Sequence, residues 1–174
     1  TTFAQRLSTQ LRVNGIRPIA LSLDDYFCDR EKTPLDKDGQ YDFEALEALD
    51  LPLLNQHVNA LIHGQEIECP IYDFVSGKRK PVGKPMKLGK DEILVMEGIH
   101  ALNPRLLPSL ERNHLFKIYI SALFQPNIDI HNRISTTDVR LIRRLVRDDK
   151  YRGINPEKTL QQWASVRRGE NNNI

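Results

Sequence analysis

Carboxylates follow two apolar segments of this sequence, and their positions suit them for chemistry on a bound ligand. Asp24 and Asp25 come directly after the apolar run at 16–23, and Glu97 comes directly after the run EILVM at 92–96. A carboxylate at the end of a strand can hold Mg²⁺ or accept a proton from a hydroxyl group. Each acid taken alone has a structural alternative, in which it caps the loop that follows.

A second group that could do chemistry is the arginine-rich segment TDVRLIRRLVRDDKYRG at 137–153. Four arginines recur at i, i+3, i+4 and i+7, which places them on one stripe of a helix: Arg140, Arg143, Arg144 and Arg147. We expect the acids of the segment to lie off this stripe, without neutralising it: Asp138, Asp148 and Asp149. Because arginine binds phosphate through two parallel hydrogen bonds, the stripe predicts a polyanionic ligand. A solvated basic face and a nucleic-acid patch are the alternatives.

The elements that would position these groups follow from hydrophobic periodicity. The sequence predicts strands over 16–23, 92–96 and 115–121, and helices over 2–14, 127–135, 138–151 and 156–165. Helical spacing over 43–63, divided by Pro52, predicts two more helices, and 25–41 is predicted to be a loop. Gly, Pro and Lys around IECPIYDF predict a β-hairpin excursion over about 65–90. Alternating strands and helices predict an α/β fold, a parallel sheet with helices on both faces, whose ligands bind at the carboxyl ends of the strands.

Composition limits the function classes. The chain has 174 residues, 40% of them hydrophobic, which suits one domain with a core. The sequence shows no signal peptide and no apolar run of the roughly 20 residues that span a bilayer, so we expect no membrane association. Cys28 and Cys69 have no metal-type spacing, which indicates free thiols in a reducing cytoplasm. A net charge of +2 is too small to indicate nucleic-acid binding by itself.

Taken together, four segments resemble the uridine kinase and phosphoribulokinase family of P-loop kinases. TTFAQRL resembles the sequence after the family's Gly-rich phosphate loop, and SLDDYF resembles its catalytic-aspartate segment. VMEGIHALNP resembles its acidic strand end, and the arginine-rich segment resembles its lid. This resemblance implies a P-loop NTPase-type fold in a single kinase domain over 1–174, incomplete at both ends, with a lid at about 137–153. It also places the glycines and lysine of the phosphate loop, and the strand before them, upstream of Thr1.

The resemblance further implies Mg²⁺-dependent transfer of a phosphoryl group from ATP or another nucleoside triphosphate. Asp24 is the implied catalytic base. The Thr1 hydroxyl and Glu97 are the implied Mg²⁺ ligands, with Asp25 helping the metal or ordering the loop. The lid arginines that would contact the triphosphate are Arg143, Arg144, Arg147 and Arg152; Arg144 and Arg147 would act in catalysis, and Arg144 would also contact the acceptor.

The acceptor pocket resembles the family's only in part. Asp42 resembles the carboxylate that binds ribose hydroxyls, and Tyr72 and Phe74 resemble the aromatic residues that contact the base, with ordinary hairpin packing as the alternative for the two aromatics. Two positions depart from the uridine kinase pattern: Gly77 replaces a His and Ile154 replaces an Arg. Uridine is therefore predicted to be a poor substrate unless other residues compensate.

Two residues of the hairpin, Lys78 and Arg79, are candidates to replace the missing His. The best interpretation of the sequence is a kinase for a hydroxyl of a uridine- or cytidine-like nucleoside. A kinase for a sugar, sugar phosphate or other small alcohol is the first alternative, and a non-catalytic nucleotide-binding regulatory domain is the second. Asp24 argues against the second, since ATP binding needs no base. Acidic strand ends argue against a nucleic-acid partner, and a homo-oligomer stays open.

Overall fold

The computed structural model of the chain describes residues 1–120 and 127–173, which fall into two compact units. The first comprises residues 1–117 with Asn173, and the second comprises residues 118–172. The first unit contains α1 (Thr2–Val13), β1 (Arg17–Ser22), α2 (Leu51–Ile62), β2 (Glu66–Cys69), β3 (Tyr72–Asp73), β4 (Lys78–Arg79), β5 (Lys84–Lys87) and β6 (Glu92–Glu97). The second contains α3 (Thr136–Arg152) and most of α4 (Pro156–Asn173). The prediction of one domain over 1–174 stays a prediction.

A parallel pair of strands, β1 and β6, carries the acidic residues. Their register runs from Arg17 opposite Glu92 to Ser22 opposite Glu97. Helix α1 packs on both strands, and it ends at Asn14 and Gly15 as its sequence predicts. The predicted strands at 16–23 and 92–96 are thereby confirmed, together with the α/β class and the parallel pairing.

The segment predicted to form a hairpin excursion contains two short antiparallel ladders. The outer ladder pairs β2 with β5, from Glu66 opposite Lys87 to Cys69 opposite Lys84. The inner ladder pairs β3 with β4 and places Tyr72 opposite Arg79. The chain therefore leaves β2, forms a small tip and returns through β5 before it enters the parallel pair.

Helix α2 packs against the hairpin and begins differently from the sequence prediction. Of the two helices predicted within 43–63, only the second forms, and the first is reduced to a single 3-10 turn at Leu46–Ala48. Pro52 lies in the first turn of α2, where its missing N–H group costs no hydrogen bond. Asp50 caps this helix because its Oδ1 accepts from the Leu53 amide at 3.1 Å. The core joins strand, loop, helix and hairpin: Leu21, Leu23, Tyr26, Leu46, Leu49, Leu54, Val58, Leu61, Ile67, Cys69 and Leu106.

The predicted third strand at 115–121 is wrong for residues 115–120, which have no regular structure, while Ser121 lies outside the described residues. A strand needs a ladder partner, and among the described residues β1 and β6 pair only with each other. The apolar side chains of the segment are consequently exposed, and Phe116 is 90% accessible.

The second unit is built on α3 and α4. Ser135 caps α3, its hydroxyl accepting from the Asp138 amide at 3.1 Å, and Gly153 ends it with a φ of 63°. The predicted helices at 138–151 and 156–165 are confirmed, but the one at 127–135 is wrong. There the Asp129 carboxylate accepts hydrogen bonds from the backbone amides of His131 and Asn132 and from the Asn132 side chain. Such local bonds satisfy the backbone without a helix.

No helix among residues 1–120 and 127–173 is long and apolar enough to cross a membrane.

Candidate functional site

The carboxyl end of the parallel pair gathers oxygen atoms around Glu97. The Thr1 hydroxyl donates to Glu97 Oε1 at 2.9 Å, and the Ser22 hydroxyl donates to the same oxygen at 3.0 Å. Burial raises the pKa of Glu97, and the hydrogen bonds from the Thr1 and Ser22 hydroxyls oppose this effect. The structure therefore brings together Thr1 and Glu97, the two predicted Mg²⁺ ligands, and adds Ser22, which the sequence analysis missed.

Asp24 and Asp25 lie in the 3-10 turn Leu23–Tyr26 that directly follows β1. Asp25 Oδ1 accepts a hydrogen bond from the Tyr72 amide at 3.3 Å. Burial raises the pKa of Asp25, and the negative charges of Asp24 and Glu97 raise it further against the opposing Tyr72 hydrogen bond. The three predicted acids thus form one electrostatically coupled group at the strand ends.

Close backbone packing helps to hold this group together. Gly98 follows Glu97, and a Cβ atom at this position would lie 2.7 Å from the Leu23 Cβ atom. Since such a contact is shorter than side chains tolerate, glycine allows the end of β6 to approach the turn that carries Asp24. The sequence shows the glycine, but it does not show that the Leu23 side chain packs against it.

The predicted acceptor aromatics form a cluster with Phe27. The ring centroids of Tyr72 and Phe74 are 5.1 Å apart, and Phe27 lies 5.6 Å from the first and 6.3 Å from the second. The two pairs that include Phe74 have the edge-to-face geometry that stabilises aromatic pairs, and the Phe27 and Tyr72 rings are tilted by 55°. Because Asp25 binds the Tyr72 amide, this cluster adjoins the acidic group.

Asp42, predicted to bind ribose hydroxyls, makes local hydrogen bonds. Its Oδ1 accepts from the Glu44 amide at 3.1 Å, and its own amide donates to the Pro34 carbonyl at 2.8 Å. These contacts order the loop before α2. The structure records no bond from Asp42 to the acidic or aromatic groups within the described residues, and its predicted role stays a prediction.

Arg79, one of the two candidates to replace the missing His, has partners that the sequence does not predict. Its guanidinium donates to the carbonyls of Phe27 and Tyr26 and to Asp50 Oδ2, each at 3.0 Å. Its amide also donates to Asp29 Oδ1 at 3.3 Å. Arg79 therefore ties the hairpin to the loop after Asp24 and to the cap of α2. No local pattern reveals this role, since the partners lie 29 to 53 residues away.

Behind this loop is a buried polar contact in the core. The Tyr26 hydroxyl lies 3.0 Å from His57 Nδ1 and 3.8 Å from Cys69 Sγ. Burial is the main cause that raises the pKa of both the Tyr26 hydroxyl and the Cys69 thiol, and it lowers the pKa of His57. Cys69 and Cys28 are free thiols, as predicted. The cluster anchors the turn of Asp24 to α2 and β2.

The arginine-rich helix α3 has an internal acid partner, contrary to the sequence prediction. Asp148 is 0% exposed, and its carboxylate forms ion pairs with three arginines. The distances are 3.2 Å from Arg144 Nε to Oδ2, 2.8 Å from Arg147 Nη2 to Oδ1 and 3.8 Å from Arg152 Nη1 to Oδ1. The Thr159 hydroxyl of α4 donates to Asp148 Oδ2 at 3.5 Å. Long arginine side chains bend toward a carboxylate that ideal helical angles place off their face, so helical spacing alone does not reveal this partner. Asp148 thus places a buried negative charge within 3.8 Å of three predicted lid arginines.

The acidic group fits a hydrated Mg²⁺ ion. Among the described residues no three His, Cys, Asp or Glu side chains form a metal cage. Mg²⁺ needs no such cage, since it retains waters and binds through one or two carboxylates together with substrate phosphates. Glu97 supplies one carboxylate, and the Thr1 hydroxyl is the second oxygen at the site.

Comparison with known proteins yields a consistent family. The model of the phosphoribulokinase / uridine kinase family matches residues 1–174. Similar proteins include a uridine kinase of Deinococcus deserti, 32% identical over 94% of this chain and 69% of its own length. Others are the uridine kinases of Lactobacillus helveticus, 28% identical over 95% and 70%, and of Halobacterium salinarum, 28% identical over 95% and 64%. The chain thus spans about two thirds of the length of these relatives.

A solved structure titled as a possible uridine kinase from Bacillus stearothermophilus is also similar. It is 21% identical, with a TM-score of 0.48, over 59% of this chain and 55% of that one.

Proposed function

Since the chain belongs to the phosphoribulokinase / uridine kinase family, we propose that it takes part in ATP-dependent phosphorylation of a hydroxyl group on a small metabolite in the cytoplasm. The observation that carries this proposal is the group at the ends of the parallel strands. Thr1 and Ser22 donate to Glu97, and Asp24 and Asp25 follow the neighbouring strand. Parallel α/β sheets bind their ligands at this edge.

In the proposed reaction Asp24 accepts the proton of the acceptor hydroxyl. The hydroxyl oxygen then bonds to the γ-phosphorus of ATP while the bond to the β,γ-bridging oxygen breaks, and ADP leaves. Glu97 and the Thr1 hydroxyl would hold Mg²⁺, which supplies charge neutralisation at the phosphates when it is bound. Such a reaction depends mainly on positioning and on positive charge, so the protein needs few reactive groups.

The arginines of α3 are proposed to bind the triphosphate. A guanidinium group binds phosphate oxygens through parallel hydrogen bonds, and Arg144, Arg147 and Arg152 all lie within 3.8 Å of the Asp148 carboxylate. Because the buried carboxylate holds the side chains, less rotamer entropy is lost when the phosphate binds.

A nucleoside such as uridine or cytidine is the first acceptor class, because the relatives are uridine kinases. Tyr72 and Phe74 support this class, since a base can stack on an aromatic ring. A sugar, sugar phosphate or other small alcohol is the second class. Gly77 favours it, because the hairpin position that carries a His in uridine kinases has no side chain here.

The test is acceptor-dependent transfer of labelled γ-phosphate from Mg²⁺-ATP, measured on a panel of nucleosides, pentoses and sugar phosphates. We expect at least one acceptor to be labelled, and we expect Asp24→Asn to abolish most of the labelling while the protein still binds ATP. Binding of ATP without labelled product for any acceptor would instead support a regulatory nucleotide-binding domain.

A further inference from the structure

The space beside Gly77 is filled by the side chain of Arg30. A Cβ atom at position 77 would lie 2.6 Å from the Arg30 Cζ atom and 2.7 Å from its Nε atom. The backbone of the hairpin makes room for this contact, because Gly77 has a φ of 70°, which side chains rarely adopt. Glycine at this position is therefore matched to an arginine 47 residues earlier in the chain.

Arg30 is fixed in this position by two hydrogen bonds between loop and hairpin. Its Nη2 donates to the Phe74 carbonyl at 3.0 Å, and its amide donates to the Gly77 carbonyl at 2.9 Å. In the part of the chain that the structure describes, the guanidinium makes this one hydrogen bond out of five donors. Its remaining donors are therefore open to a ligand beside the aromatic cluster.

Two of the neighbouring cations, Arg79 and Lys78, are already engaged by other groups. The Arg79 guanidinium is engaged by two backbone carbonyls and by Asp50. Lys78 is exposed, and its Nζ atom lies 3.9 Å from Glu31. Burial raises the pKa of the Tyr72 hydroxyl, and the positive charge of Arg30 is the largest of the influences that oppose this rise. Arg30 is therefore electrostatically coupled to Tyr72. Arg30 is thus the cation associated with the acceptor aromatics.

Positive charge dominates the surroundings of this arginine. Residues 29–32 and 78–80, which the Arg30 and Arg79 backbone bonds hold together, contain five basic and two acidic side chains. An anionic group would be attracted here, and a guanidinium fork matches a carboxylate or a phosphate with two parallel hydrogen bonds. A single residue separates Tyr72, whose amide binds Asp25, from Phe74, whose carbonyl binds Arg30, so the two residues are at most about 7 Å apart along the chain.

We propose that Arg30 is an acceptor-recognising residue which takes the place of the side chain absent at Gly77. The acceptor then carries a carboxylate or phosphate group at one end and the reactive hydroxyl at the other. This inference rests on the proposed kinase function and narrows its substrate class. It also explains why a neutral nucleoside, which offers Arg30 no anion, would be a weak ligand.

The first test compares acceptors that differ by one anionic group. D-ribose is paired with D-ribose 5-phosphate to test phosphate, and uridine is paired with 5-carboxyuridine to test carboxylate. We expect kcat/KM with Mg²⁺-ATP to be at least tenfold higher for the anionic member of one pair. Faster turnover of the neutral member in both pairs would overturn the proposal.

The second test uses Arg30→Gln and Arg30→Lys, with Arg105→Gln as the matched control. Arg105 is an exposed arginine of the same unit that pairs with Glu47 on the surface. Loss of a hydrogen bond to a charged group predicts a rise in KM for the anionic acceptor of about 10- to 150-fold in Arg30→Gln. Arg30→Lys should retain part of the affinity, and KM for ATP should change less than about threefold in all three variants.

A purely structural role for Arg30 predicts a different result. If the substitution only loosened the hairpin, it would weaken the binding of neutral and anionic acceptors alike. An equal rise in KM for both members of a pair would therefore overturn the proposal. Calorimetric titration of the acceptors without ATP tests the role of Arg30 separately from the kinase reaction. If the anionic acceptor binds in an Arg30-dependent way but no phosphoryl transfer occurs, the kinase reaction is refuted and the role of Arg30 is supported. If phosphoryl transfer occurs and Arg30→Gln does not change it, the kinase reaction is supported and the role of Arg30 is refuted.

Discussion

Removal of the Arg79 guanidinium should destabilise the first unit far more than removal of an exposed arginine. Arg79 binds the carbonyls of Tyr26 and Phe27 and the Asp50 carboxylate, each at 3.0 Å. The side chains of the ion pair are 23% and 30% exposed. Arg79→Met keeps most of the apolar stem and removes all three contacts, so its effect isolates the polar head.

The magnitude follows from these contacts. A hydrogen bond to a charged group contributes about 1.5–3 kcal/mol when it is well shielded, and breaking a buried ion pair costs about 3–5 kcal/mol. Water reaches part of the Arg79 site and can solvate the released carbonyls, and the three contacts share one side chain and do not add. We therefore expect Arg79→Met to lower the free energy of unfolding by about 2–4 kcal/mol.

The matched control is Arg105→Met. Arg105 and Glu47 form an ion pair of 2.6 Å, which is shorter than the Arg79 contacts, but their side chains are 68% and 55% exposed. Exposed pairs contribute about 0–1 kcal/mol because water and salt screen them. Shielding from solvent, rather than distance, is thus the variable that the comparison tests.

The assay is urea unfolding followed by circular dichroism. With a typical slope of about 2 kcal/mol per molar urea, Arg79→Met should lower the midpoint by about 1–2 M and Arg105→Met by less than about 0.5 M. Fluorescence of Trp163, the only tryptophan, follows α4 in the second unit. Equal midpoints for the two variants would refute the reasoning from burial.

Three further perturbations test other parts of the two units. Asp24→Asn cannot accept a proton and should lower kcat at least about 100-fold with little change in ATP affinity, and near-normal turnover would exclude Asp24 as the base. Because burial and the neighbouring charges raise the pKa of Asp25, its ionised form destabilises the fold at pH 7. Asp25→Asn should therefore raise the urea midpoint at pH 7 but not near pH 4, where the carboxyl group takes up its proton, and a lower midpoint at pH 7 would contradict this. Asp148→Ala leaves Arg144 and its neighbours without their buried acid and should destabilise α3 by about 3–5 kcal/mol, measured by Trp163 fluorescence in urea, whereas a cost below about 1 kcal/mol would show that the three contacts matter little.

The parallel pair and its acids were predictable because their signals are local. A short apolar run that ends in an acid specifies both a strand and the chemistry at its end, and β1 and β6 carry such runs. Family resemblance added the expected partnership of Thr1 with Glu97, which the structure places in hydrogen-bond contact. The roles of these residues in catalysis stay predictions.

The failed predictions depended on information that a local pattern lacks. The segment 115–120 has the composition of a strand, but a strand also requires a partner, and none of the described residues pairs with it. The segment 127–135 has helical spacing, but Asp129 binds nearby amides and satisfies the backbone in another way. Asp148 lies off the ideal arginine stripe, yet flexible side chains reach it.

The two ends of the proposed site differ in how they depend on the fold, and this difference has a consequence for specificity. Glu97 and Asp24 stand on or beside paired strands, so their positions are set by the sheet and by the contact of Gly98 with Leu23. Arg30 and Gly77, in contrast, meet where a loop touches the tip of a two-residue ladder. Substitution of Arg30 or Gly77 should alter which acceptor is phosphorylated and leave the positions of Asp24 and Glu97 unchanged. Substitutions at these two positions require that Arg79 be retained, because its guanidinium holds the hairpin to the loop that carries the base. If the hairpin tip were free to move, the distance between the bound hydroxyl and the bound anion would no longer be fixed, and the proposed recognition depends on that distance.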